Sequence, residues 1–153
     1  MPSLENSDFQ SCLNKQSEIK KEFIHCHDDE SRHEKIISLG KKSPKMNPTN
    51  KTKENLVHSC QSQMFLHSYF KDGFVYFESE SDALISSGLA ALMIKVYSGE
   101  KPETILKCPP KFLEELSIQK SLSPNRSNGL SGLFIRIKQE ALKFLIAREK
   151  QKP

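Results

Sequence analysis

The sequence lacks a long hydrophobic run. Its longest apolar stretches are far shorter than the roughly 18 residues that a membrane-spanning helix needs, so we expect no membrane association. The first residues show neither the basic start nor the apolar segment of a secretory signal, so export is not expected. A length of 153 residues allows one domain of ordinary size. These features predict a single-domain cytoplasmic protein.

Closely spaced cysteines are also absent. The four cysteines form no C-x-x-C pair, which argues against a zinc knuckle and against a dithiol redox motif; they are Cys12, Cys26, Cys60 and Cys108. Two disulfides are possible, but a chain of this length does not need them in order to fold. We therefore expect free thiols, as is usual in a reducing compartment.

Aromatic residues are missing between Phe23 and Phe65, where much of the excess positive charge lies. The net charge is +4, and lysines dominate residues 35–53. Grooves that bind single-stranded nucleic acid alternate lysines with stacking aromatics, so nucleic-acid binding is not expected. The turn-forming pairs Ser43-Pro44 and Asn47-Pro48 favour a solvated linker, and a docking patch is the alternative.

The N-terminal third of the chain has helical patterning. Residues 1–14 are polar without a clear period and are predicted to be a flexible tail; residues 15–147 form the domain, and residues 148–153 fray. A short helix is predicted near residues 19–23. A second helix should begin at Asp28 or Asp29 and end at Gly40, which gives a helical hairpin.

The middle of the chain changes to strand patterning before helices return. Residues 55–58 and two runs on either side of Lys71-Asp72-Gly73 predict an antiparallel sheet of about three strands. A long helix is predicted over residues 82–98, followed by short helices after Pro102 and around Phe112. A last helix should begin near Pro124. The fold class is therefore α+β, with helices covering a small antiparallel sheet.

Cys60 has the sequence surroundings of a reactive thiol. It lies in the polar segment Ser59-Cys60-Gln61-Ser62 between apolar residues, which predicts a loop between extended segments. A free thiol has a pKa near 8.5, so its reactivity depends on neighbours that stabilise the thiolate. His58, two positions away, and the backbone amides of the loop are the candidates. A buried structural cysteine is the alternative.

Two helix starts carry residues that suggest interactions. Arg126 lies in the first turn of the last predicted helix, where the helix dipole disfavours a positive charge, so its guanidinium should have a partner. Asp82 opens the long helix. It is interpreted as a plain N-cap, with a binding contact as the alternative.

Taken together, three motifs in order resemble the SufE family of sulfur acceptors. They are Cys60-Gln61-Ser62-Gln63, Ser81-Asp82-Ala83 and Leu122-Ser123-Pro124-Asn125-Arg126-Ser127-Asn128-Gly129-Leu130. The resemblance extends upstream to Arg32 and to the helix end Leu39-Gly40-Lys41, and so covers about residues 16–147. Two positions depart from the family pattern. Ser59 stands where glycine is usual, and Phe65 stands where tryptophan is usual.

The resemblance implies a fold shared with IscU-like scaffolds and a function in iron–sulfur cluster assembly. Such a protein is a sulfur carrier and activator rather than an enzyme. It accepts sulfur from a SufS-like cysteine desulfurase, which uses pyridoxal phosphate, and delivers it to a SufBCD-like scaffold. Cys60 matches the acceptor; His58, Gln61, Ser62, Asp82 and Arg126 would hold the loop or dock the desulfurase. No cofactor of its own is expected, and the chain is a monomer or a homodimer.

Three alternatives remain open at this point. A scaffold that itself holds a cluster could use Cys26, Cys60 and Cys108 with nearby histidines, although their spacing does not predict convergence. A metal site at His25-Cys26-His27 with His33 is disfavoured, because residues 25 and 27 face different sides of a helix. A thiol hydrolase using Cys60 with His58 or His67 has no oxyanion motif to support it.

Overall fold

In the part of the chain that the structure describes, the order of elements is two helices, a β-hairpin and four further helices. The structure, a computed structural model, describes residues 9–58 and 62–152. Within them lie α1 (Gln10–Glu22), α2 (Asp29–Lys42), β1 (Met64–Lys71), β2 (Phe74–Ser81), α3 (Leu84–Tyr97), α4 (Pro102–Lys107), α5 (Lys111–Glu115) and α6 (Pro124–Gln151). Single 3₁₀ turns occupy Pro48–Asn50, Lys53–Asn55 and Gln119–Ser121. The α+β class is confirmed.

Helix α3 lies at the centre of the fold. Its sequence is apolar around most of its circumference, which predicts burial on several sides at once. It packs against α1, α2, β2 and α6, and its side chains Leu92, Met93 and Val96 have no solvent exposure. The surrounding elements therefore form one hydrophobic core around this helix.

Helices α2 and α3 approach each other at a glycine contact. A Cβ atom added to Gly88 would lie 2.0 Å from the carbonyl oxygen of Ile36, and one added to Gly40 would lie 2.6 Å from the backbone nitrogen of Gly88. The prediction that Gly40 ends its helix is wrong, because α2 continues to Lys42. Gly40 instead lets the two backbones touch. The start of α2 agrees with prediction, since Asp28 is its N-cap and accepts from the Ser31 N–H at 2.8 Å.

The hairpin forms as predicted, but the sheet has two strands rather than three. Asp72 (φ 53°) and Gly73 (φ 88°) both have positive φ, as a two-residue hairpin turn requires, and Met64 pairs with Ser81 at the open end. Residues 55–58 do not form a full strand. They follow a 3₁₀ turn and join β1 only through a bridge between Leu56 and Phe65.

At both ends of the described chain, helical structure extends beyond the domain limits that the sequence indicates. Helix α1 begins at Gln10, within the stretch assigned to a flexible tail, and Cys12 is fully buried. At the other end, α6 continues to Gln151 rather than fraying after residue 147. The Arg148 guanidinium lies 2.6 Å from a Glu103 carboxylate oxygen, which fixes this end of α6 to α4.

Among the helices of residues 9–58 and 62–152, none combines the length and apolar character required to cross a bilayer.

The Gly40–Gly88 contact predicts an unusual response to alanine. An alanine for glycine exchange inside a helix normally stabilises a protein by about 1 kcal/mol. For Gly88→Ala we expect a loss of about 3 kcal/mol in the free energy of unfolding, because the new methyl group would overlap the backbone of Ile36. Urea denaturation measures the change. Gly73→Ala is the control: its Cβ would have free space, so only the positive φ opposes it and the loss should be about 1 kcal/mol.

The Glu103–Arg148 ion pair predicts a pH-dependent contribution to stability. The Arg148 guanidinium lowers the pKa of Glu103, so the pair stabilises the folded chain above the ordinary glutamate pKa of about 4.3 and is lost as the pH falls below it. At neutral pH, Arg148→Gln should cost only a small part of the stability, since the pair is partly exposed. Urea unfolding of both proteins across pH 7 to 3 should show this difference shrinking in acid. A difference that is constant with pH would contradict the pair.

Candidate functional site

The predicted site residues lie around one short segment. Cys60 and Gln61, together with Ser59, lie outside the described residues. His58, immediately before this segment, is exposed, and Ser62, immediately after it, is half-buried. The structure therefore defines the two ends of the segment that contains Cys60.

Arg126 has the partner that its position in the helix predicts. Its Nη1 donates to Ser86 Oγ at 2.8 Å and to Ser62 Oγ at 3.2 Å. The Ser62 and Ser86 hydroxyls are 2.9 Å apart, and Ser81 Oγ lies 3.4 Å from Ser62 Oγ. We call Ser62, Ser81, Asp82, Ser86 and Arg126 the loop-end cluster. It connects the residue after the Cys60 segment to the starts of α3 and α6.

Asp82 holds the same end of the segment through the backbone. Its Oδ1 accepts from the Gln63 N–H at 3.1 Å, and its own N–H donates to the Gln63 carbonyl oxygen at 3.1 Å. The N-cap interpretation of Asp82 is wrong, because the N-cap position of α3 is Ala83 and no side chain caps that helix. Residue 82 instead fixes residue 63.

The side of the loop-end cluster formed by Ser62, Ser86 and Arg126 is electropositive, whereas the Asp82 carboxylate is directed to the Gln63 N–H. Ser86 is the third residue of α3 and Arg126 the third residue of α6, so the first turns of both helices reach the cluster. Helix N-termini carry partial positive charge, and Arg126 adds a full one. Such surroundings lower the pKa of a nearby thiol and stabilise sulfur anions. This cluster can therefore favour an anionic group held next to Ser62.

A narrow crevice opens beside Arg126. Its free interior is about 10 Å³, room for roughly one water-sized group. Its walls are mainly apolar side chains of β1, α3 and α6, with polar atoms at one side; they include Met64, Leu89, Leu130, Ser86 and Arg126. The crevice is too small for a substrate molecule and fits part of one side chain.

A second polar group beside the segment was not predicted from the sequence. Arg136, on α6, donates from Nη1 to the Leu56 carbonyl oxygen at 2.9 Å and from Nη2 to the Glu54 carbonyl oxygen. Glu140, buried one turn further along, lies beside the Arg136 guanidinium. The available signal was a glutamate within the apolar stripe of the last helix, next to Ala141.

The other cysteines lie away from a common site. Cys12 and Cys108 are buried in contact with each other, and the Gln16 Nε2 donates to Cys108 Sγ at 3.3 Å. The hydrogen bond between the two thiols raises the pKa of Cys12 and lowers that of Cys108. Cys26 is half-buried against the Ser31 carbonyl oxygen.

The metal site that the sequence disfavours would use His25, Cys26, His27 and His33. His33 Nε2 lies 2.7 Å from the Ser121 carbonyl oxygen. In residues 9–58 and 62–152, no three histidine, cysteine or acidic side chains are grouped so that they could hold a metal ion.

Known proteins resemble this chain in sequence and in fold. It is 34% identical over 136 residues to the chloroplastic or mitochondrial SufE-like protein 1 of Arabidopsis thaliana, covering 88% of this chain and 37% of that protein. It is 32% identical over 132 residues to an uncharacterized SufE-like protein of Synechocystis, covering 86% of this chain and 83% of the relative. This chain thus spans little more than a third of the plant protein.

A solved structure shares the fold. The solution structure of a hypothetical protein from Thermus thermophilus superposes with a TM-score of 0.66 at 23% identity, covering 92% of this chain and 97% of that one.

The family model for the SufE domain, described as associated with iron–sulfur metabolism, matches residues 17–141. This range contains every residue of the loop-end cluster. The chain therefore belongs to the SufE family and has a domain of iron–sulfur metabolism.

Proposed function

We propose that this protein accepts sulfur from a cysteine desulfurase as a persulfide on Cys60 and delivers it to a cluster-assembly scaffold. The proposed partners are a SufS-like desulfurase, whose pyridoxal phosphate releases the sulfur, and a SufBCD-like scaffold. In this role the protein activates the desulfurase and is not itself an enzyme. It needs no cofactor of its own.

The observation that carries the proposal is the loop-end cluster two residues after Cys60. Arg126 Nη1 binds Ser62 Oγ, and the first turns of α3 and α6 approach the same residue. A thiolate or persulfide carries negative charge and is stabilised by positive groups nearby. The cluster therefore supplies an electrostatic reason for a reactive cysteine at position 60.

The transfer itself follows thiol exchange chemistry. The Cys60 thiolate attacks the outer sulfur of the desulfurase persulfide; a new sulfur–sulfur bond forms, the old one breaks, and the desulfurase thiolate leaves. No net oxidation or reduction occurs. An attacking thiol performs best when its pKa is near the ambient pH, which the positive surroundings favour.

The crevice beside Arg126 suggests how the product would be protected. A persulfide in water is lost to reductants and oxidants. We propose that Cys60 alternates between a position shielded at this crevice, which has room for about one water-sized group, and an exposed position in the complex with the desulfurase.

The main alternative, a scaffold that holds the cluster itself, has less support. Cys108 lies in the core with Cys12 and Gln16, with 1% exposure, and Cys26 contacts backbone of the α2 start. Cluster ligands need to converge on the iron atoms, and a buried thiol pair around a glutamine amide leaves no room for them.

Sulfur loading tests the proposal directly. After incubation with a cysteine desulfurase, pyridoxal phosphate and cysteine, mass spectrometry should show one or more added sulfur atoms on the peptide containing Cys60. The gain should disappear in Cys60→Ser. Cys26→Ser is the matched control and should load normally, because Cys26 lies in the connection between α1 and α2, where its thiol contacts the Ser31 carbonyl oxygen. Equal labelling of Cys12, Cys26 and Cys108 would overturn the assignment.

The proposed role of Asp82 in holding the loop end predicts a local change in amide exchange. Asp82→Ala removes the acceptor of the Gln63 N–H, so exchange of that amide should accelerate about fivefold. Asp82→Asn keeps an oxygen acceptor and should lie in between. Amide exchange followed by NMR measures both. The Val57 N–H, bonded to the Met64 carbonyl oxygen at 2.9 Å, is the internal reference and should not change. Unchanged Gln63 exchange in Asp82→Ala would contradict the role.

A further inference from the structure

We propose that Arg136 is a positioning residue for Cys60. Arg136 holds the backbone that precedes residues 59–61, as Arg126 holds Ser62, which follows them. The inference rests on the proposed function of Cys60, but its geometry concerns only described residues. Arg136 belongs to none of the three motifs that carry the family resemblance.

The guanidinium of Arg136 binds two carbonyl groups upstream of Cys60. Nη1 donates to the Leu56 carbonyl oxygen at 2.9 Å, and Nη2 donates to the Glu54 carbonyl oxygen. Both acceptors are backbone atoms at the exit of the 3₁₀ turn Lys53–Asn55, where regular structure no longer satisfies them. A rigid, planar guanidinium that binds two carbonyls fixes both the position and the direction of this chain.

A buried carboxylate orients the arginine. Glu140 Oε2 lies 3.7 Å from Arg136 Nε, one turn along α6, and Glu140 Oε1 accepts from the Ser68 hydroxyl at 2.7 Å. Glu140 is 9% exposed, and a charge at that depth is costly unless it is paired. Ser68 belongs to β1. The network therefore joins α6 to the hairpin and holds Arg136 against the upstream chain.

The two arginines lie on the same helix. Arg126 and Arg136 are ten residues apart, which is about 15 Å along the axis of α6. Arg126 binds Ser62, and Arg136 binds Leu56. A hydrogen bond from the Val57 N–H to the Met64 carbonyl oxygen joins the chain just after Leu56 to the chain just after Ser62. Helix α6 thus binds the chain on both sides of the segment that contains Cys60.

The expected consequence is control of the reactivity of Cys60 through the backbone of residues 54–57. Loss of the Arg136 bonds should release residues 54–57 while α6 and the core remain folded. Arg148 provides a matched control, because it is an arginine of the same helix and its carboxylate partners are Glu103, on α4, and the neighbouring Glu149.

The test compares Arg136→Gln, Arg136→Lys and Arg148→Gln in the full chain. Iodoacetamide alkylation of Cys60, followed by mass spectrometry of its peptide, measures how fast the Cys60 thiol reacts. It needs no desulfurase. We expect alkylation in Arg136→Gln to be about tenfold faster than in the wild type, which corresponds to about 1.4 kcal/mol. Arg136→Lys keeps a donor and should restore much of the wild-type rate. Arg148→Gln should alkylate at the wild-type rate.

Two further measurements separate positioning from general destabilisation. Amide exchange should accelerate at residues 54–57 in Arg136→Gln and not in Arg148→Gln. Sulfur loading by the desulfurase should be slower in Arg136→Gln than in Arg148→Gln, although the two variants have equal thermal stability. Where Arg136→Gln does not fold, Arg136→Lys decides, because one ammonium group cannot bind both carbonyls as the planar guanidinium does. Amide exchange at residues 54–57 in Arg136→Lys should then remain faster than in the wild type, and an unchanged rate would overturn the inference.

Alkylation rates that are equal in the wild type and both Arg136 variants would overturn the inference, as would an equal increase in Arg148→Gln. A wild-type protein that gains no sulfur from any desulfurase would overturn the proposed function instead. The alkylation comparison would still decide the role of Arg136.

Discussion

The burial of helix α3 is the constraint on which the rest of the structure depends. The helix is apolar on nearly every side, so α1, α2, β2 and α6 must all pack against it for its side chains to leave water. Two glycines, Gly40 and Gly88, let α2 approach closely enough for backbone atoms to touch. Interiors are packed as densely as organic crystals, so a contact of this kind fixes the position of both helices.

That constraint also positions the chemistry. Because α3 is held on all sides, its first turn presents Ser86 at a defined point beside β1 and the start of α6. Arg126 reaches the same point, and Asp82 binds the backbone of Gln63 immediately beyond it. The positive ends of two helices and a guanidinium thereby surround the residue that follows the Cys60 segment. The packing of the core and the electrostatics of the site are consequences of the same arrangement.

Much of the fold was predictable because its signals are local. The turn at Asp72-Gly73, the start of α2 at Asp28 or Asp29 and the proline start of α6 depend on residues within a few positions, and all three agree with the structure. The errors have a common cause. Gly40 and residues 55–58 behave according to what packs against them, a second glycine in one case and a single bridge to Phe65 in the other. Cys12 is likewise buried by a distant partner, Cys108.

For the candidate site, too, local motifs identify residues but not their partners. From the motifs alone, Cys60, Ser62, Asp82 and Arg126 could be chosen, but not what Asp82 or Arg126 binds. The cytoplasmic location remains a prediction, since the named Arabidopsis relative is chloroplastic or mitochondrial. The oligomeric state, monomer or homodimer, is equally a prediction.

By itself the sequence determined the fold class, the family and the choice of Cys60, because each depends on short patterns of residue type. Only the tertiary structure decided that Asp82 binds a backbone amide, that Ser86 joins Ser62 to Arg126, and that Arg136 and Glu140 hold the opposite side. These contacts join residues 19 to 82 positions apart. Which distant side chains meet depends on how the helices pack around α3, and no local sequence pattern predicts that packing.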